Sequence, residues 1–131
     1  MSTILIIDDD QAVLQAYGCL LRRRGHRVIL VRDPDEVRGS PDPLRDVDLV
    51  ILDQRMPRTT GIELLRTLRR ARAPRGGAAP AVLLVSAYLN EEIRREALEL
   101  GVAEVIEKPV DPELLLRRVR ESLAGRGDHA P

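Results

Sequence analysis

Five side chains in this sequence could together carry one piece of chemistry. Asp8 and Asp9 follow the aliphatic run Thr3–Ile7, Asp53 follows Asp48-Leu49-Val50-Ile51-Leu52, Ser86 follows Ala81–Val85, and Lys108 follows Glu104–Glu107. Each stands where a short apolar run stops, so each is expected at a strand end. Two carboxylates about 4 Å apart repel by roughly 4 kcal/mol at an effective dielectric near 20, and one ammonium offsets only one charge. Either a carboxylate holds a proton or a divalent cation sits among them. Hard oxygen ligands favour Mg²⁺, which suits a site that also handles phosphate. Carboxylates, a metal, a hydroxyl and an ammonium are the parts needed for phosphoryl transfer. A carboxylate can be the nucleophile, with the cations and the hydroxyl steadying the phosphoryl oxygens. Asp53 is the nucleophile candidate because it leaves the central strand. Lys108 is the single lysine beside 20 arginines, and a compact point charge is what an ammonium offers and a guanidinium does not.

The elements that must position these groups alternate regularly. Strands are expected at Thr3–Ile7, Arg27–Val31, Val47–Leu52, Ala81–Val85 and Glu104–Glu107. Helices are expected over Gln11–Arg24, Gly61–Ala73, Glu91–Leu100 and Asp111 to Ala124, with a weaker one after Asp33-Pro34 that Gly39–Pro43 should cut short. The apolar residues Val13, Ala16, Tyr17, Leu20 and Leu21 mark the inward face of the first helix. Strand–helix alternation repeated five times implies an α/β, doubly wound parallel sheet with right-handed crossovers and five helices. The flavodoxin-like strand order 2-1-3-4-5 suits this length. In such a sheet the site lies beyond the carboxyl ends of the strands, where all five candidate residues converge. One domain is expected over 1–124, with 125–131 a flexible tail or the start of a linker.

Composition narrows the function classes. The 131 residues hold 21 basic and 21 acidic side chains, so a surface that coats nucleic acid or an anionic membrane is not expected. With 2% aromatic residues, recognition by base stacking has little support. Cys19 is the single cysteine, which fits a reducing compartment. No apolar run approaches the roughly 20 residues that span a bilayer, and no secretory signal pattern opens the chain, so a cytoplasmic protein is expected. Asp10 reads as a helix cap, and His26, His129, Arg22–Arg24 and Arg117, Arg118 and Arg120 as surface residues.

Asp8-Asp9, Asp53 with Met56-Pro57 and Gly61, Ser86-Ala87, and Lys108-Pro109, in this order at strand ends, resemble the receiver domain of two-component response regulators, the CheY-like family. The resemblance covers about residues 3–124. It implies that Asp53 accepts a phosphoryl group from a histidine kinase or histidine phosphotransfer protein. It implies Mg²⁺ held by Asp9, Asp53 and the backbone carbonyl of Arg55, with Asp8 acting mainly through water. Lys108 would contact the phosphoryl group, Ser86 would move to hydrogen-bond it, and Pro109 would follow a cis bond. The sequence departs from the family at Val105, where a switch Tyr or Phe is usual. Arg55 and Tyr88 hold positions that tune phosphoryl lifetime. The implied output is altered binding to a downstream protein or a fused output domain, as a monomer or a phosphorylation-dependent homodimer. A degenerate receiver serving only as an interaction module is the alternative. A Mg²⁺-dependent phosphohydrolase is a further one, for which no cap insertion is evident.

Overall fold

The computed structural model describes residues 1–71 and 79–127. Its elements are β1 (Thr3–Ile7), α1 (Gln11–Arg22), β2 (Arg27–Val31), α2 (Asp35–Arg38), β3 (Leu49–Asp53), β4 (Arg55–Met56), β5 (Thr59–Thr60), α3 (Gly61–Ala71), β6 (Ala81–Ser86), α4 (Glu91–Glu99), β7 (Glu104–Glu107) and α5 (Pro112–Gly127). The main sheet is wholly parallel, in the order β2-β1-β3-β6-β7. This is the expected 2-1-3-4-5 once β4 and β5 are set aside. Those two form a separate antiparallel hairpin of two residues per strand, too short to show an alternating pattern in the sequence.

Alternation along the strands divides the core in two. Leu5, Ile7, Val50, Leu52, Val82 and Leu84 face α2, α3 and α4, while Ile4, Ile6, Leu49, Ile51, Leu83 and Val85 face α1 and α5. With both faces covered, the central strands carry apolar side chains in unbroken runs. The buried polar side chains among the described residues are Asp8, Asp53, Gln54, Thr59 and Ser86. All of them lie at the carboxyl ends of the strands or in the loops that follow. No helix among the described residues is long and apolar enough to cross a membrane.

Several boundaries differ from expectation. α1 ends at Arg22, two residues early, in a turn that brings Gly25 to φ +88. Its fully buried line is Leu14, Gly18 and Leu21, with Tyr17 and Leu20 packed beside it, so the expected inward face holds except at Ala16, which is exposed. Gly18 supplies the reason: a Cβ there would meet the Leu30 side chain at 3.2 Å, and this close approach turns Ala16 outward. α2 is a single turn of four residues. α5 continues past Ala124 to Gly127, so Gly125–Gly127 are helical rather than tail. Most of the expected 73–80 loop, the end of the helix expected to reach Ala73, and residues 128–131 with His129 lie outside the described residues.

The segment between β3 and α3 holds Asp53 in place. The Gln54 amide donates to Val85 O at 3.0 Å, and Gln54 O accepts from the Gly61 amide at 2.9 Å. The buried Gln54 side chain turns back, its Oε1 accepting from the Ile62 amide at 3.0 Å. Thr60 Oγ1 accepts from the Glu63 amide at 3.1 Å, capping the helix. Gly61 is pressed against the strand: a Cβ would lie 2.5 Å from Asp53 O, 2.9 Å from Leu84 Cδ1 and 3.1 Å from Gln54 Cα. Two of these neighbours are backbone and cannot swing away. Gly61→Ala is therefore expected to lower stability by about 1–3 kcal/mol, the usual cost of overpacking, as measured by urea unfolding.

Candidate functional site

Parallel register brings the strand ends level. Ile7 pairs with Leu52, Asp53 with Val85, and Ser86 with Glu107. One residue further, the Asp8 amide donates to Val31 O at 3.1 Å and the Lys108 amide to Ser86 O at 2.7 Å. Two groups 100 residues apart in sequence thereby meet: Lys108 Nζ donates to Asp8 Oδ2 at 2.8 Å. The same ammonium lies 3.2 Å from Asp53 Oδ1. The three side chains are 18%, 4% and 5% exposed, so solvent screens this contact far less than it would a surface pair. Asp8 is oriented from its other side, where Oδ1 accepts from the Asp10 amide at 2.9 Å. Asp10 caps α1 through the amides of Ala12 and Val13.

Asp9 completes the cluster. One carboxylate oxygen from each of Asp8, Asp9 and Asp53 lies within 4.8 Å of the others. Three carboxylates face one ammonium, and the surplus bears on Asp53. Burial, reinforced by the Asp8 charge and opposed by Lys108, pushes Asp53 up to about 6. Burial alone would lower Lys108, but its hydrogen bond and charge contact with Asp8, aided by Asp53, hold it above the usual ammonium range. A close set of oxygen donors with excess negative charge fits a hard divalent cation such as Mg²⁺.

The remaining expected site residues are placed as follows. Ser86 is fully buried, and its hydroxyl is engaged with the following loop. Oγ donates to Tyr88 O at 2.8 Å and accepts from the Tyr88 amide at 3.1 Å. The Tyr88 side chain is exposed. Val105 is buried in the core on the α4 side of the sheet. Arg55 is exposed and pairs with Thr60 in the hairpin. The Lys108–Pro109 bond is cis.

Two further residues emerge. Gln54 secures the start of α3, as described above. Tyr17 is half-buried beside a cleft of about 450 Å³ shared with Ala87, Lys108 and Pro109. Burial raises its phenol against the opposing pull of Lys108. Its apolar spacing marks it for the core, and it packs against the core at this rim.

A pH dependence follows from Asp53. Its carboxyl titrates near 6 in the folded chain against 3.8 ordinarily. The folded state therefore binds this proton more tightly, and the site destabilises the metal-free fold as pH rises through that interval. In EDTA, Asp53→Asn is expected to raise unfolding free energy at pH 7.5 by about 1–3 kcal/mol. The gain should vanish by about pH 4, as read from urea unfolding at both pH values.

The sequence matches the profile of the response regulator receiver domain over residues 4–120. It is 35% identical over 118 residues to the transcriptional regulatory protein FixJ of Azorhizobium caulinodans, a match covering 90% of this chain and 53% of that protein. It is 30% identical over 127 residues to a cyclic di-GMP phosphodiesterase of Thermotoga maritima, covering 97% of this chain and 32% of that protein. The chain thus spans between a third and about half of these curated relatives. In structure it is similar to a CheY-like response regulator receiver domain protein from Methanospirillum hungatei JF-1, with a TM-score of 0.83, 25% identity and 99% of both chains covered. Sheet order, acidic cluster and profile agree, and the chain belongs to the response regulator receiver domain family.

Proposed function

We propose that this receiver domain is a phosphorylation switch that takes a phosphoryl group onto Asp53 from a phosphohistidine of a histidine kinase or phosphotransfer protein. The observation that carries the reading is the partly buried Lys108 ammonium shared by Asp8 and Asp53, with Asp9 alongside. Members of the family act as signalling switches rather than enzymes.

An Asp53 carboxylate oxygen attacks phosphorus in line. A P–O bond forms, the P–N bond to the donor imidazole breaks, and the imidazole nitrogen leaves with the electron pair. Lys108 keeps its bond to Asp8 and turns its donor from Asp53 toward a phosphoryl oxygen. Asp9, Asp53 and the Arg55 carbonyl would hold Mg²⁺, with Asp8 acting through water, and the ion would supply further positive charge at that group. Ser86 can donate to the phosphoryl group only by giving up Tyr88 O, so modification disturbs the start of the β6–α4 loop. With Val105 in place of an aromatic ring, the change passes through that loop and α4. A ligand or modification that favours one of two arrangements shifts partner binding accordingly. The partner is a downstream protein or an output domain on the same polypeptide.

Incubation with acetyl phosphate and Mg²⁺ is expected to give one phosphoryl adduct per chain by intact mass. EDTA should abolish it, as should Asp53→Asn. Lys108→Ala should slow its formation by about 10²–10³, the usual effect of removing one charge-stabilising donor. An adduct that survives in Asp53→Asn contradicts the assignment. No adduct in the wild type leaves an interaction module as the reading.

A further inference from the structure

The metal side of the site is laced together by two arginines on neighbouring loops. Arg32, just past β2, donates from Nε to Asp9 O at 3.2 Å, tying the β2–α2 loop to the loop that carries Asp8 and Asp9. Arg58, in the turn of the β4–β5 hairpin, places Nη2 3.5 Å from Asp33 Oδ1 and 3.6 Å from Asp35 Oδ2. That contact ties the hairpin to the same β2–α2 segment. The hairpin begins at Arg55, whose carbonyl is a proposed metal ligand. Together the two links close a chain from Asp9 through Arg32, Asp33 and Arg58 back to the segment leaving Asp53. A cleft of about 330 Å³ lies between them, lined by Asp9, Arg32, Asp33, Pro57 and Arg58 among others.

The backbone gives an independent reason to single out Arg58. Its φ is +68, a conformation that glycine adopts freely and a β-carbon disfavours. Non-glycine residues persist in this region where the surroundings over-determine them, and they concentrate at functional sites. Here the side chain reaches Asp33 in the β2–α2 loop and Asp35 at the start of α2, which a glycine could not do.

We propose that Arg58 is a positioning residue for the metal site: its clasp on Asp33 and Asp35 holds the hairpin ready, so that Mg²⁺ does not have to order it on binding. The inference rests on the proposed Mg²⁺ site. A clasp and simple electrostatics predict opposite signs. If Arg58 acted only as a nearby positive charge, its removal would strengthen binding of a divalent cation. If it acts as a clasp, removal weakens binding despite the lost repulsion.

The test is Mg²⁺ affinity by isothermal titration calorimetry, together with hydrogen exchange of the hairpin amides. Arg58→Ala is expected to weaken Mg²⁺ binding by about two- to fivefold, the scale of a pair of exposed ion contacts, and to speed exchange over residues 55–60. Arg58→Gly relieves the backbone yet should weaken binding as well, which separates the clasp from strain. Asp33→Asn with Asp35→Asn should also speed exchange over 55–60. Raising NaCl should reduce the difference between wild type and Arg58→Ala. Unchanged or tighter Mg²⁺ binding in Arg58→Ala overturns the inference and leaves the metal site standing. A wild-type chain that takes up no Mg²⁺ overturns the site and the clasp together.

Discussion

Lys108 Nζ lies between Asp8 and Asp53, and the arrangement of the acidic edge depends on that contact. A buried ammonium needs a carboxylate partner, and Asp8 meets that need at 2.8 Å. Asp53 and Asp9 then stand as additional negative charges in the same small volume. A single Lys–Asp pair would be self-sufficient and inert. Three carboxylates around one cation are not, and the imbalance is one that a divalent metal would offset. Arg in place of Lys108 would bring a planar fork where the geometry needs one point charge shared by two oxygens.

The fold supplies this juxtaposition through backbone register. Parallel pairing sets the ends of β1, β3, β6 and β7 side by side; Asp53 and Ser86 are the last residues of β3 and β6, and Asp8 and Lys108 come directly after β1 and β7. The loops then make local bonds that fix direction: Asp10 to Asp8, Gln54 to the first turn of α3, and Ser86 to Tyr88. Gly61 lets α3 start hard against Asp53 O. Almost every buried polar side chain therefore either belongs to the site or braces the chain beside it, while the rest of the interior is aliphatic.

The features legible in the sequence were those with a strong period or a sharp boundary. Five apolar strands, each ended by a polar residue, imply both the sheet and the edge where Asp8, Asp9, Asp53, Ser86 and Lys108 gather. The β4–β5 hairpin was not legible, since two-residue strands leave no pattern. The inward face of α1 was legible at Tyr17, Leu20 and Leu21 but not at Gly18, which carries no hydropathic signal yet lies close against Leu30. Tyr17 packs against the core while lining the rim of a cleft beside Lys108. Gln54 beside Asp53 offers no cue that its amide caps α3. The bond from Ser86 to Tyr88 depends on loop geometry that spacing cannot express. Arg58 at positive φ was hidden for the same reason, because nothing in an arginine announces that backbone.

The acidic edge holds more negative charge than Lys108 can balance, a surplus that a divalent cation would answer. The most direct measurement is an NMR titration of the Asp53 carboxyl carbon, with and without Mg²⁺. The account predicts a midpoint near 6 without metal, moving strongly downward when Mg²⁺ is added. An Asp53 that titrates in the ordinary carboxylate range and ignores Mg²⁺ would contradict it.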